Sequence, residues 1–285
     1  MIIKITKETQ KWLAKESGFV VFLSLDIEGS TNFKITYPNN WMFHFENFFE
    51  KVRWYYEKEF KLSNSVIFKE NGDEIIIAFF PLNYDNLKEI MDVSLSSVQT
   101  IPPYRKILKD IHLDYKATLF CAGFSEPEPF AIYDTNENRS DKEQYNGYYS
   151  SDYKNHRMHR YIHLPSGDNK AQPSSCIINS IIEYDYIGPD IDIGFRISKY
   201  SQPNKLIVSD KIAYIYSNIF YDLYNFKIIS NDKLKGVWND NKYPIIEYSN
   251  NKDDIIDFDL LYQNVNTLVN QKEFLSKLKN DIKCS

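Results

Sequence analysis

The sequence predicts an α+β (α/β) fold, a mixed sheet flanked by helices with an inserted polar loop region. Three observations predict it. Apolar runs of strand length alternate with stretches of helical periodicity. Two of those runs, in SVIFKENGDEIIIAFF, are joined by a tight polar turn at Asn71-Gly72-Asp73, which reads as a hairpin. Finally, 43% of the 285 residues are hydrophobic and 16% aromatic, enough to bury a core and to exclude wholesale disorder.

In chain order, residues 4–16 (KITKETQKWLAKE) read as a short amphipathic helix. A buried-strand run from Phe19 to Leu25 follows and stops abruptly in acid, glycine and hydroxyls. Trp41, Phe43, Phe45, Phe48, Phe49, Val52 and Tyr55 give residues 39–60 the spacing of an amphipathic helix. After the hairpin come a second helix at 84–98 and a strand at 114–124 (DYKATLFCAGF). Residues 125–175 are polar without a clear period and predict an inserted loop. In DYIGPDIDIGFRISKYS a helix should pack through Ile191, Gly194, Phe195 and Ser198. KLIVSDKIAYIYSNI predicts strand plus helix, NFKIIS and YPIIEYS short strands, and a last helix starts near Asn264. The expected divisions are an N-terminal helix at 1–17, a main domain at 18–250 with its insertion at about 125–175, and a C-terminal helical extension at 251–285.

Lys+Arg 34 against Asp+Glu 39 leaves a net charge of −5, unlike a surface built to hold nucleic-acid phosphates. No apolar run approaches the roughly 20 residues that cross a bilayer, and the N-terminus lacks the apolar core of a secretory signal. Cys121, Cys176 and Cys284 are too few and scattered for a disulfide framework or a zinc box. The expectation is a soluble cytoplasmic protein with neither nucleic acid nor membrane as partner.

Glycine is scarce, at 9 residues, so each should stand where the backbone has no alternative. Five fall in short motifs: Gly29, Gly72, Gly188, Gly194 and Gly236. In the first motif, Asp26-Ile27-Glu28-Gly29-Ser30-Thr31, a buried strand ends in a carboxylate and the next residues present amides at a helix start. A helix N-cap explains the same residues without a ligand. The second, Lys69-Glu70-Asn71-Gly72-Asp73, is the hairpin turn. Asp26 ends one apolar strand and Asp73 begins another that can pair beside it, and two carboxylates at adjacent strand ends make a two-metal site for phosphoryl transfer. The third, Gly188-Pro-Asp-Ile-Asp-Ile-Gly-Phe-Arg196, sets Asp192 and Arg196 four apart, either as a surface ion pair or with the arginine aimed at a phosphate. The fourth is the basic turn Leu234-Lys235-Gly236.

In this order, DIEGST, KENGD, GPDIDIGFR and LKG resemble the class III nucleotidyl cyclase catalytic domain over roughly residues 18–250. The resemblance implies that Asp26, Asp73 and the Ile27 carbonyl hold two divalent ions, Mn²⁺ or Mg²⁺. Gly29, Ser30 and Thr31 would cradle the triphosphate, and Lys69 and Asp185 would read the base. Arg196 would act in the transition state and Lys235 on phosphate. It also implies a head-to-tail homodimer with sites at the interface.

Two positions depart from the family pattern: Asp192 stands where the family has a catalytic Asn, and Pro189 where it has an acid. With the long insertion, these features look like the bacterial branch that makes cyclic pyrimidine monophosphates in anti-phage Pycsar systems, with a separate cyclic-nucleotide-activated effector. That branch more often uses UTP than CTP. A donor Lys69 and an acceptor Asp185 fit adenine or cytosine, and uracil in swapped positions, so the residues leave all three bases open. An adenylate cyclase and a catalytically inactive, nucleotide-binding cyclase-like module are the alternatives. NGDEI is also similar to the turn of diguanylate cyclases, which lack a later LKG turn. His156, His159 and His163 have metal-ligand spacing, but a polar loop or exposed helix stripe explains them as well.

Overall fold

The computed structural model describes residues 17–56, 65–81, 83–125, 147–149, 157–163, 181–220, 223–238 and 241–262. The helices expected at 4–16 and from Asn264 lie outside these residues, as does His156. The fold is α+β. Among the described residues ten strands form two sheets, and the larger has seven strands in the order β2-β3-β1-β4-β8-β10-β9. Its strands are β1 (Ser17–Glu28), β2 (Ser65–Asn71), β3 (Glu74–Phe79), β4 (Asp114–Ser125), β8 (Leu206–Val208), β9 (Asn225–Lys233) and β10 (Lys242–Ser249). The sheet is mixed: β1 and β2 both run antiparallel to β3, while β4 and β8 are parallel.

Strand alternation divides the large sheet into two faces. Val21, Leu23, Leu25 and Ile27 of β1 enter the main core. There they meet Phe45, Phe48 and Val52 of α2 (Trp41–Trp54), and Leu87, Ile90 and Met91 of α3 (Tyr84–Gln99). Tyr104 and Leu108 of α4 (Pro103–Lys109) and Ile212 and Tyr216 of α6 (Asp210–Ile219) complete that layer. Buried Arg105 of α4 is bound on all sides. Its guanidinium donates to both Asp114 oxygens at 2.9 Å and to the Val98 and Thr100 carbonyls. The opposite face carries α5 (Pro189–Ile197), whose Ile193 and Ile197 pack with Ile207, Tyr243 and Ile245. Two short helices, α1 (Ser30–Thr36) and α7 (Phe258–Tyr262), are also among the described residues.

The hairpin forms as the sequence predicts, with Asn71 paired to Glu74 around Gly72-Asp73. The stretch 125–175 departs from its loop expectation. Strands β5 (Gly147–Tyr149) and β6 (Arg157–His163) lie within it, and both are antiparallel in a second sheet with β7 (Ile181–Ile187). His159 and His163 lie on strand β6 rather than on a helix or loop, while His156 lies outside the described residues. Helix α5 also departs in detail: Ile191, Gly194 and Ile197 are buried, whereas Phe195 is 40% exposed and Ser198 only half-buried.

The chain divides into two compact units. One comprises residues 19–122 and 189–285, and the other residues 1–18 and 123–188. Among the described residues no helix is long and apolar enough to cross a membrane.

Candidate active site

The face of β1 opposite the main core runs Val20, Phe22, Ser24, Asp26, from apolar to charged. Asp26 pairs with Glu74 of β3, and the Ile27 amide donates to the Asp73 carbonyl at 3.0 Å. Strand pairing therefore brings the two sequence-predicted carboxylates, Asp26 and Asp73, to one sheet end and adds Glu74 beside them. Ser30 of α1 donates its hydroxyl to Asp73. Ser24 donates to Glu74 at 2.5 Å.

Each aspartate already faces a cation. Lys116 of β4 stands 3.1 Å from Asp26, and Lys34 of α1 stands 3.7 Å from Asp73 while lying over the Trp41 and Phe45 rings. Burial pushes the Asp26 carboxyl above its ordinary range, Lys116 pulls it back, and the charge of Asp73 adds to the rise. Glu74 is raised too, first by burial and further by the charges of Asp26 and Asp73, against the Ser24 hydrogen bond. Sequence reading missed Glu74, Lys34 and Lys116. The signal for Lys116 was present, as a lone cation inside an otherwise apolar strand run.

A capping role does not account for the DIEGST motif. The residue that caps α1 is Gly29, in the left-handed region at φ +77°, and no side chain caps the helix. The Ser30 hydroxyl is committed to Asp73, so its backbone amide, with that of exposed Thr31, is what this turn offers an anion.

Lys69 reaches the same sheet face through an irregularity. Ile67 pairs with Ile77 and enters the main core, but a bulge after it sets Lys69 opposite Ile76, which is also the partner of Ser24. Regular alternation would have turned Lys69 toward the core. Its charge is felt by Glu74, whose carboxyl it lowers.

A second group gathers around α5. Gly194 lies so close to β4 that an added Cβ would sit 2.4 Å from the Phe120 ring. The Thr118 and Ser201 hydroxyls join the segment after α5 to β4 at 2.6 Å. Leu234 and Val237, flanking Lys235-Gly236, share an apolar cluster with Ile193 and Ile197, so the LKG turn is anchored on α5. Asp192 and Arg196 do not form the i,i+4 ion pair that the spacing allows. Asp192 is exposed, and the Arg196 Nε is buried with no hydrogen-bond partner among the described residues. Asp185 lies on β7, in the other unit.

Among the described residues no three or more His, Cys, Asp and Glu side chains are arranged to hold a metal by themselves. The donor set nevertheless fits a hard divalent cation of the magnesium type. Such ions bind through one or two carboxylates plus substrate phosphates rather than in all-protein cages, and both aspartates here already attract a positive charge.

No family model and no curated protein matches this chain. Among solved structures it is similar to the catalytic core of a rhodopsin-guanylyl cyclase with converted specificity in complex with ATPalphaS. Identity is 11% and the TM-score 0.47, over 82% of this chain and 97% of that one. It is also similar to the adenylyl cyclase CyaB from P. aeruginosa, at 11% identity and TM-score 0.43 over 85% and 98% of the two chains. A third is the guanylate cyclase domain of RhGC from Catenaria anguillulae in complex with GTP, at 11% identity and TM-score 0.45 over 83% and 98%.

Proposed function

We propose that this chain is a nucleotidyl cyclase that closes a nucleoside triphosphate, UTP or CTP, into its 3′,5′-cyclic monophosphate and releases pyrophosphate. The observation that carries the proposal is the meeting of Asp26 and Asp73 at one strand end, each against a cation and neither capping a helix. In the reaction the ribose 3′-oxygen bonds to the α-phosphorus, the bond from that phosphorus to the bridging oxygen breaks, and the hydroxyl proton passes to solvent. Mg²⁺ or Mn²⁺ held by Asp26, Asp73 and the Ile27 carbonyl would supply hydroxyl activation and charge neutralisation.

The chain's own residues do the rest. The Ser30 and Thr31 amides after Gly29 receive triphosphate oxygens. Arg196, its Nε without a hydrogen-bond partner among the described residues, stabilises charge that grows on the transferring phosphoryl oxygens. Lys235 binds phosphate from its turn, Asp192 accepts a hydrogen bond from a ribose hydroxyl, and Lys69 with Asp185 reads the base. Base readers and Arg196 serve the partner's carboxylates in a head-to-tail homodimer. The product signals in the cytoplasm to a separate cyclic-nucleotide-activated effector of anti-phage defence. The pyrimidine assignment follows the sequence resemblance, and the donor–acceptor pair Lys69 and Asp185 fits adenine equally, which keeps an ATP cyclase as the second reading.

The test is to incubate the protein separately with ATP, GTP, CTP and UTP plus Mn²⁺ and to identify products by mass spectrometry. A cyclic pyrimidine nucleotide lost on Asp73→Ala supports the reading. Cyclic AMP alone selects the second reading, and no cyclic product with any nucleotide refutes both. Mixing Asp26→Ala with Arg196→Ala chains should restore one working site per heterodimer; no recovery from confirmed dimers would place the whole site within one chain.

A further inference from the structure

A lysine between buried neighbours on an internal strand requires a partner, and Lys116 has Asp26. On β4 it stands between Tyr115 and Ala117, which are 1% and 0% exposed, while its own side chain is 22% exposed. Its ammonium reaches 3.1 Å from an Asp26 oxygen. Lys34, the counterpart at Asp73, is held a second time by the Trp41 and Phe45 rings, 5.3 and 5.4 Å from their centroids. Lys116 ends a flexible four-carbon stem, and its ion-pair partner among the described residues is Asp26.

We propose that Lys116 is a tethered counter-ion of the site. It occupies Asp26 until a divalent cation arrives with a nucleoside triphosphate, and then moves its ammonium onto the phosphate oxygens. The inference rests on reading Asp26 and Asp73 as metal ligands. Charge accounting leads to it. The carboxylates of Asp26, Asp73 and Glu74 stand against the ammoniums of Lys34, Lys69 and Lys116, so the cluster is balanced without any added ion. A lone divalent cation would bring two positive charges into a half-buried place and find an ammonium on the oxygen it needs. A triphosphate delivered with it removes that excess and gives Lys116 a new acceptor. Metal alone therefore binds weakly, and metal with nucleotide binds cooperatively. No bond is made or broken in this exchange.

The test measures uptake of Mn²⁺ alone, by the electron paramagnetic resonance of free Mn²⁺ or by calorimetry, without nucleotide and without turnover. Lys116→Met, close in volume and uncharged, should bind Mn²⁺ on the order of tenfold more tightly than wild type, within the usual range of coupling between sites. Lys116→Arg keeps the charge and should bind like wild type. Lys116→Gln serves should the methionine variant fail to fold. Equal Mn²⁺ affinity in wild type and the uncharged variants, with Asp26→Asn weakening all of them, overturns the counter-ion role and leaves the metal ligands standing. Failure of every variant to take up Mn²⁺ overturns both.

Discussion

Replacing Gly194 by alanine adds one methyl group, and the structure states what it meets. The new Cβ would lie 2.4 Å from Cδ2 and Cγ and 2.6 Å from Cε2 of Phe120. Carbon contacts are comfortable at about 3.5–4.0 Å, so the overlap is roughly an ångström on three ring atoms at once. The ring cannot step back, because it is stacked on Phe22 with centroids 5.2 Å apart. Overpacking of this kind costs about 1–3 kcal/mol. Alanine recovers about 1 kcal/mol through its better helix propensity. Overlap with three ring atoms at once puts the cost in the upper half of the overpacking range, so the net loss expected is about 1–2 kcal/mol, which lowers Tm by roughly 2–4 °C for a chain of this size. Thermal melts followed by circular dichroism, with urea titration alongside, read it directly. Activity should fall further than stability, since α5 carries Asp192 and Arg196 and a shift of about 1 Å can reduce rate on the order of a hundredfold. Phe120→Leu in the same chain should restore part of both losses, as contacting residues couple. An unchanged Tm for Gly194→Ala would refute the close approach of α5 to β4.

Glu74→Gln keeps the oxygen that accepts from Ser24 and removes a charge that burial, Asp26 and Asp73 all disfavour. A raised carboxyl contributes stability that is full below its unfolded value and lost as pH rises through the folded one. The variant should therefore be more stable than wild type at pH 7, by on the order of 1 kcal/mol, and converge with it at acid pH below the unfolded carboxyl value, as urea titrations at the two pH values would read. Burial alone would raise Asp114, but hydrogen bonds from Arg105 and Lys109 outweigh it and hold the carboxyl low. That contribution is present above the unfolded value and lost as pH falls through the lowered one. Asp114→Asn at pH 7 should lose about 3–5 kcal/mol by leaving buried Arg105 without its counter-charge, measured by urea unfolding. Arg196→Ala should lower kcat on the order of a hundredfold with little change in KM; a rise in KM alone would make it a ground-state binder.

What the sequence discloses are features that local physics specifies. Phe19 to Leu25 is apolar at every position but Ser24 because β1 is an inner strand. The Asn71-Gly72-Asp73 turn is legible because few other chemistries close so tight a hairpin. The α5 helix is legible as a period, but its buried face is not. Phe195 looks like a core residue and stands at the rim, since Gly194 is what lets the helix lie flat on Phe120. The strands β5 and β6 escape notice because their sheet is built from polar and aromatic residues without a steady alternation. The bulge after Ile67 is invisible in composition, yet it decides which face Lys69 joins.

The candidate site is hard to read for a related reason: its parts are ordinary until register aligns them. On the face opposite the main core, β1 runs Phe22, Ser24, Asp26 and β3 runs Ala78, Ile76, Glu74. In β4 the same face, marked by Phe120 against α5 and Lys116 against Asp26, runs Phe120, Thr118, Lys116. Three adjacent strands change from apolar to charged at the same end of the same face. Taken singly, Asp26 could cap a helix, Glu74 could open a strand and Lys116 could be a stray charge. Taken together they place three carboxylates and their ammoniums where burial pushes two of the acids up, an arrangement that works against stability. A fold seeking stability alone would fill that corner with apolar side chains. Like charges retained against their own repulsion have their use when something cationic or phosphorylated arrives, which is the physical ground for seeking this chain's chemistry at Asp26 and Asp73.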